Sequence, residues 1–317
     1  MRRRIEAPIA GRLRVGNPGR RTGTVVLVHP GALPVSTYAE LTAALPTDID
    51  VVLLDLQRSP EYAQAALTGG QPHTSIAELA DRCRYELSTV WAGCGPFVLV
   101  GWSFGGVIAY AMTERAGSVR QPHHLLLLDS IAPLDDLRCP SLRTRGDAAE
   151  EDAMILHWFA MYLAAKRGVR LSISRGEFVG RPVEDGLDLI LGRARDAGAL
   201  YPGTSIDGLR KVYTTFFAGL ARNGRLNQTY DARPVHVPMT VVRATEGLVA
   251  DPGALGWDRL AAAGLDVDVC AGDHYTMLRD PDAVRHLVGL VRRWLPADRF
   301  AVRRQAAFDP VHAIPSA

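Results

Sequence analysis

Gly101-Trp102-Ser103-Phe104-Gly105-Gly106 is the stretch that sets the fold class. An apolar run, residues 97–102 (FVLVGW), leads into it, and a helical pattern through Met112 leads out. A G-x-S-x-G segment between strand and helix is a sharp turn that lifts the serine hydroxyl above a sheet edge. Gly101 and Gly105, two positions either side of Ser103, let the backbone pass without collision. The helix N-terminus adds partial positive charge where an oxyanion would form. A serine hydroxyl is a poor nucleophile unaided, so a base must lie within hydrogen-bond reach.

Working outward, further apolar runs read as buried strands: 24–29 (TVVLVH), 51–56 (VVLLDL), 125–129 (LLLLD), 239–243 (MTVVR) and 265–270 (LDVDVC). Most are continuous, as in a parallel sheet covered on both faces; the last alternates, which suits an edge. Helical patterns lie between them. Ser75 and Glu78 form a capping box, and Asp280-Pro281 opens a final helix. This alternation predicts a doubly wound, mostly parallel α/β sheet.

Residues 147–226 break the alternation. Ile155, Trp158, Phe159, Tyr162 and Leu163 mark one helical stripe; Leu209, Val212, Tyr213, Phe216, Phe217 and Leu220 mark another. A helical block between two strands of one sheet reads as a lid over the strand ends, or as a plain helical layer closing the core. The expected organisation is a core of 1–146 and 227–317, with tails at 1–21 and 298–317, and a helical lid at 147–226.

The base is expected on a loop after the last strand. His274, in Gly272-Asp273-His274-Tyr275, satisfies the Ser…acid…His order of this fold. His123, His124, His157, His236 and His286 are weaker candidates by position. Asp129, ending the strand beside the nucleophile strand, is the favoured acid; Glu246 and Asp251, in the loop after 239–243, are the alternatives. The oxyanion hole needs two backbone N–H groups. Phe104 is expected to give one. The other is expected from Val28-His29-Pro30-Gly31-Ala32, with Gly31 preferred, Ala32 one position on, and Pro30 unable to donate. His29 is read as lining the pocket or ending the strand.

Composition excludes other classes. Of 317 residues, 47% are hydrophobic and 22% charged, with a formal charge of +2, so no strong field points to nucleic acid or a membrane. No apolar run reaches the roughly 18 residues of a membrane span. Cys83, Cys94, Cys139 and Cys270 are far apart and form no C-x-x-C pair, which suggests reduced thiols and a cytoplasmic protein. Neither metal nor cofactor is expected.

Together VHPGA (28–32), VGWSFGGVIAYAM (100–112), LLLLDS (125–130) and GDHYTML (272–278) resemble the terminal, chain-releasing thioesterase domains of nonribosomal peptide and polyketide synthetases. The resemblance runs through roughly 22–296. It implies an α/β-hydrolase fold, a helical lid, and a thioester substrate on the phosphopantetheine arm of a carrier protein. Asp129 matches the acid position of that family, whereas Asp251 would resemble stand-alone editing thioesterases. VHPGA departs from the family's more usual double glycine. A chain that starts at its own Met1, with no carrier domain beside it, resembles a releasing domain freed from its synthetase. The competing readings are an esterase on small free esters and a non-enzymatic binding scaffold.

Overall fold

The computed structural model describes residues 8–16, 22–68, 73–91, 95–114, 120–134, 148–249 and 253–295. Cys94, Cys139, Asp251 and the expected tail 298–317 lie outside them.

Seven strands form one sheet: β1 (Ala10–Arg14), β2 (Gly23–His29), β3 (Ile49–Asp55), β4 (Phe97–Trp102), β5 (His124–Leu128), β6 (Met239–Glu246) and β7 (Leu265–Asp273), in the order β1-β3-β2-β4-β5-β6-β7. Six strands run parallel and β1 is antiparallel to β3. β2 to β5 are almost wholly buried, as their unbroken apolar runs require, while the alternating β7 sits at the edge. The helices are α1 (Ala39–Ala44), α2 (Pro60–Thr68), α3 (Ile76–Val90), α4 (Phe104–Glu114), α5 (Ala148–Arg167), α6 (Val183–Asp196), α7 (Ile206–Gln228) and α8 (Pro281–Trp294). Both expected caps are present: the Ser75/Glu78 box on α3, and Asp280 with Pro281 on α8. This is the α/β-hydrolase fold.

Two apolar cores lie on opposite faces of the sheet. Val25, Leu27, Val51, Val98 and Val100 point to one, against α1 and α8; Val26, Val28, Val52 and Leu99 point to the other, against α3 and α4. β2 connects onward to β3 on one side, and β4 connects through α4 to β5 on the other. The carboxyl ends of β2 and β4 therefore flank the point where the winding reverses, the usual place for a ligand crevice.

Residues 10–14, expected within an N-terminal tail, instead form the edge strand β1. They pair with β3 from Ala10↔Leu54 to Arg14↔Val51. Backbone pairing and Arg14, which donates to the carbonyls of Thr42, Leu45, Pro46 and Ile49, hold this strand. Its arginines and exposed Leu13 hide it from an apolar-pattern reading. α5, α6 and α7 all lie between β5 and β6 in the chain, where the helical block was expected. Among the described residues, no helix is long and apolar enough to cross a membrane.

Candidate active site

Ser103 and Asp129 follow the carboxyl ends of neighbouring strands, β4 and β5, paired up to Trp102↔Leu128. The Ser103 N–H donates to the Leu128 carbonyl (2.9 Å) and the Asp129 N–H to the Val242 carbonyl (2.8 Å). Both residues hold positive φ, 54° and 42°, a costly conformation for non-glycine residues that clusters at functional sites. Close packing explains the motif glycines. A Cβ on Gly101 would stand 2.4 Å from the Gly106 Cα, and one on Gly105 would stand 2.2 Å from the Val28 carbonyl oxygen.

His274 joins them from the loop after β7. Its Nδ1 lies 2.7 Å from the Asp129 Oδ2, and both side chains are buried. Asp129 Oδ1 also accepts from the Ala244 N–H (3.3 Å). Asp129 is thus the carboxylate that the structure brings to His274. Glu246 is exposed at the end of β6 and is not that partner; Asp251 lies outside the described residues. Among the described residues, no hydrogen bond joins the Ser103 hydroxyl to the His274 ring. Trp102 bridges the two instead: its backbone precedes Ser103, its indole N–H donates to the His274 carbonyl (2.8 Å), and its ring centroid lies 5.2 Å from the imidazole's. Asp273 Oδ1 accepts from the Tyr275 and Thr276 N–H groups, and the Asp273 N–H donates to Thr276 Oγ1, so the loop carrying His274 is closed on itself.

The loop after β2 faces the start of α4. Gly31 holds φ +85°, so the backbone favours glycine there; a Cβ would stand 1.9 Å from the Gln57 side chain, which would have to move aside. Among the described residues, neither the Gly31 nor the Phe104 N–H meets an acceptor. His29 ends β2. Its ring is buried, with Nε2 2.8 Å from the Leu33 carbonyl and Nδ1 3.3 Å from the Tyr38 hydroxyl, and burial holds its pKa below the ordinary value.

Burial also shifts Cys270 and two further histidines. Burial, reinforced by Asp129, pushes the Cys270 thiol up to about 12, so it is no thiolate nucleophile at neutral pH. Cys83 and Cys270 are both buried free thiols. His124 lies at the opposite end of β5, against Thr240 and Trp294, and burial lowers its pKa to about 3. His157 is lowered chiefly by burial and then by Arg175.

Sequence reading missed three groups here. Trp102 was read for its family resemblance rather than as a donor to the His274 loop. Tyr62, on the unanticipated α2, donates to the Pro30 carbonyl (3.1 Å) and stacks on Phe104, with centroids 6.0 Å apart. Arg222, on α7, is buried against Tyr62. No signal in the chain joins residues 160 positions apart.

Comparison with known proteins decides the family: a model of the thioesterase domain matches residues 23–295. The chain belongs to the thioesterase domain family. It is a hydrolase. A probable non-canonical nonribosomal peptide synthetase, CymA of Salinispora arenicola (strain CNS-205), is 36% identical over 117 residues, which cover 36% of this chain and 1% of that protein. The thioesterase thus spans a small fraction of that relative's length. The crystal structure of holo-AB3403, a four-domain nonribosomal peptide synthetase bound to AMP and glycine, superposes with a TM-score of 0.61 at 25% identity, covering 93% of this chain and 21% of the other. The NocB thioesterase domain, in covalent complex with a fluorophosphonate nocardicin G analogue, shares the fold at 24% identity and a TM-score of 0.55, covering 90% and 99% of the two chains. The thioesterase is therefore related to the chain-releasing domains of such synthetases.

Proposed function

We propose that this thioesterase releases an acyl or peptidyl chain from the phosphopantetheine thioester of a carrier protein through an acyl-Ser103 intermediate. The observation that carries the reading is the buried Asp129–His274 pair, 2.7 Å apart, at the same sheet edge as the strained Ser103. Asp129 fixes the imidazole with Nδ1–H toward the carboxylate, leaving Nε2 free to accept a proton. When substrate seats, His274 Nε2 takes the Ser103 proton as the hydroxyl oxygen attacks the thioester carbonyl; such contacts commonly tighten only in the loaded enzyme. The Phe104 and Gly31 N–H groups hold the oxyanion, each a contribution of about 3–4 kcal/mol. The tetrahedral intermediate collapses, the thiol leaves with the proton from His274, and Ser103 keeps the acyl group. Water, an internal nucleophile of the chain or a second acceptor then attacks the ester, giving hydrolysis, cyclisation or transfer. No cofactor enters these steps.

The helices of 148–228 are read as the lid. They touch two loops and a helix of the core: Trp158 donates to the Leu248 carbonyl (2.9 Å) in the loop after β6, Tyr162 packs edge-on against Tyr275 in the loop after β7, and Arg222 reaches Tyr62 on α2. A cover in this position excludes water from the acyl-enzyme and so biases it against hydrolysis. The carrier partner is supported by the likeness to two synthetases. Asp129 as partner of His274 favours a releasing domain over an editing one. Free buried thiols suit a cytoplasmic setting, as does a carrier-bound substrate.

A fluorophosphonate probe tests the nucleophile. The parent labels and Ser103→Ala does not; equal labelling removes Ser103 from the mechanism. Turnover of a carrier-bound thioester against the matching free ester tests the substrate class, and preference for the free ester would instead indicate a small-ester hydrolase.

A further inference from the structure

The Arg222 guanidinium is buried, yet among the described residues no carboxylate neutralises it; its pKa is lowered chiefly by burial, with the Tyr62 hydroxyl opposing. A buried cation is costly unless well hydrogen-bonded. Its contacts are specific. Nη2 donates to the Tyr62 hydroxyl (2.6 Å), Nη1 to the Tyr62 carbonyl (3.2 Å) and Nε to the Asn223 Oδ1 (3.1 Å), and the guanidinium carbon lies 3.5 Å from the Tyr62 ring centroid. The phenol has one proton and two neighbouring acceptors, Pro30 O and Asn223 Oδ1, each at 3.1 Å. Asn223 Oδ1 also accepts from Arg222, whereas among the described residues the Pro30 carbonyl has no other donor, so we assign the phenol proton to Pro30.

The peptide between Pro30 and Gly31 is trans, so its C=O and N–H point in opposite directions. Fixing the Pro30 carbonyl on Tyr62 therefore fixes the Gly31 N–H on the opposite side, away from α2. Hydrogen bonds in series also polarise one another: a cation donating to the phenol makes it a stronger donor, and a carbonyl that accepts makes its own peptide N–H a stronger donor. We propose that Arg222 and Tyr62 are positioning residues that aim and polarise the Gly31 N–H of the oxyanion hole, so that α7 of the helical insertion sets the activity of a loop on the core. This rests on the reading of Ser103 and Gly31 above.

The experiment measures single-turnover fluorophosphonate labelling and steady-state thioester turnover for the full chain and for Tyr62→Phe, Arg222→Gln, Arg222→Lys and Ser103→Ala, with thermal melting of each. Tyr62→Phe keeps the ring on Phe104 and removes only the hydroxyl. It should slow labelling and kcat by roughly tenfold to a hundredfold, less than loss of a whole oxyanion donor, with KM within about twofold. Arg222→Gln should fall the same way, and Arg222→Lys, which can still donate to the phenol, should recover most of the rate. A merely structural role would lower the melting temperature and the active fraction while leaving kcat per folded molecule and the lysine rescue unmoved. Either variant suffices if the other does not fold. Parental rates in folded Tyr62→Phe or Arg222→Gln, with Ser103→Ala silent, overturn the relay and leave the nucleophile standing. Labelling of Ser103→Ala overturns both.

Discussion

A buried histidine stands near each end of β5, and the two meet different partners. His124 opens the strand, 1% exposed, with Nε2 2.7 Å from the Thr240 hydroxyl and its ring stacked 3.6 Å from that of Trp294. His274 meets Asp129, just past the strand's other end, and is 2% exposed. Burial is equal, so burial does not distinguish them. The partner does: a hydroxyl and an indole carry no formal charge to oppose an imidazolium's, whereas a carboxylate does. Of these two, the second is the histidine proposed above to take the Ser103 proton during turnover.

The most severe way to break this contrast is to remove the proposed nucleophile: Ser103→Ala should lower kcat by about 10⁴–10⁶-fold, as in serine hydrolases generally. Asp129→Asn makes the carboxylate end resemble the hydroxyl end, and should cost about 10⁴-fold in kcat with the fold intact by circular dichroism. Activity near the parental level in that variant would mean that another acid serves His274. Trp102→Phe removes the donor to the His274 carbonyl and should cost roughly tenfold in kcat by loosening the loop, read as a kcat loss at constant KM.

The smallest effect on catalysis, and the sharpest on stability, belongs to His124. Its folded pKa of about 3 lies below the unfolded value of 6.5, so the unfolded chain binds more protons between those limits. Its contribution to stability is therefore complete above pH 6.5 and is lost as pH falls toward 3, amounting to roughly 3 kcal/mol by pH 4. Replacing His124 by Gln should leave kcat near parental and flatten the acid limb of a urea-melt series by about one proton. An unchanged slope would show that His124 is not the group that titrates.

The chain itself pointed to the sheet, because continuous apolar runs at 24–29, 97–102 and 125–129, short and alternating with helical patterns, fit strands covered on both faces, and a G-x-S-x-G segment between strand and helix puts Ser103 at the turn. It also bounded the acid and the base to a few positions, since those lie at strand ends. What it could not determine was anything settled by contact across long separations. The choice of Asp129 over Glu246 needed the register of β5 against β6 and the approach of a loop 145 residues on. β1 was invisible because backbone hydrogen bonds, not apolar side chains, hold it. Arg222 could not be singled out, because a charged residue gives no sign in sequence that tertiary packing will bury it on a tyrosine. Local periodicity reports which face of an element is apolar; only the folded chain reports what that face meets.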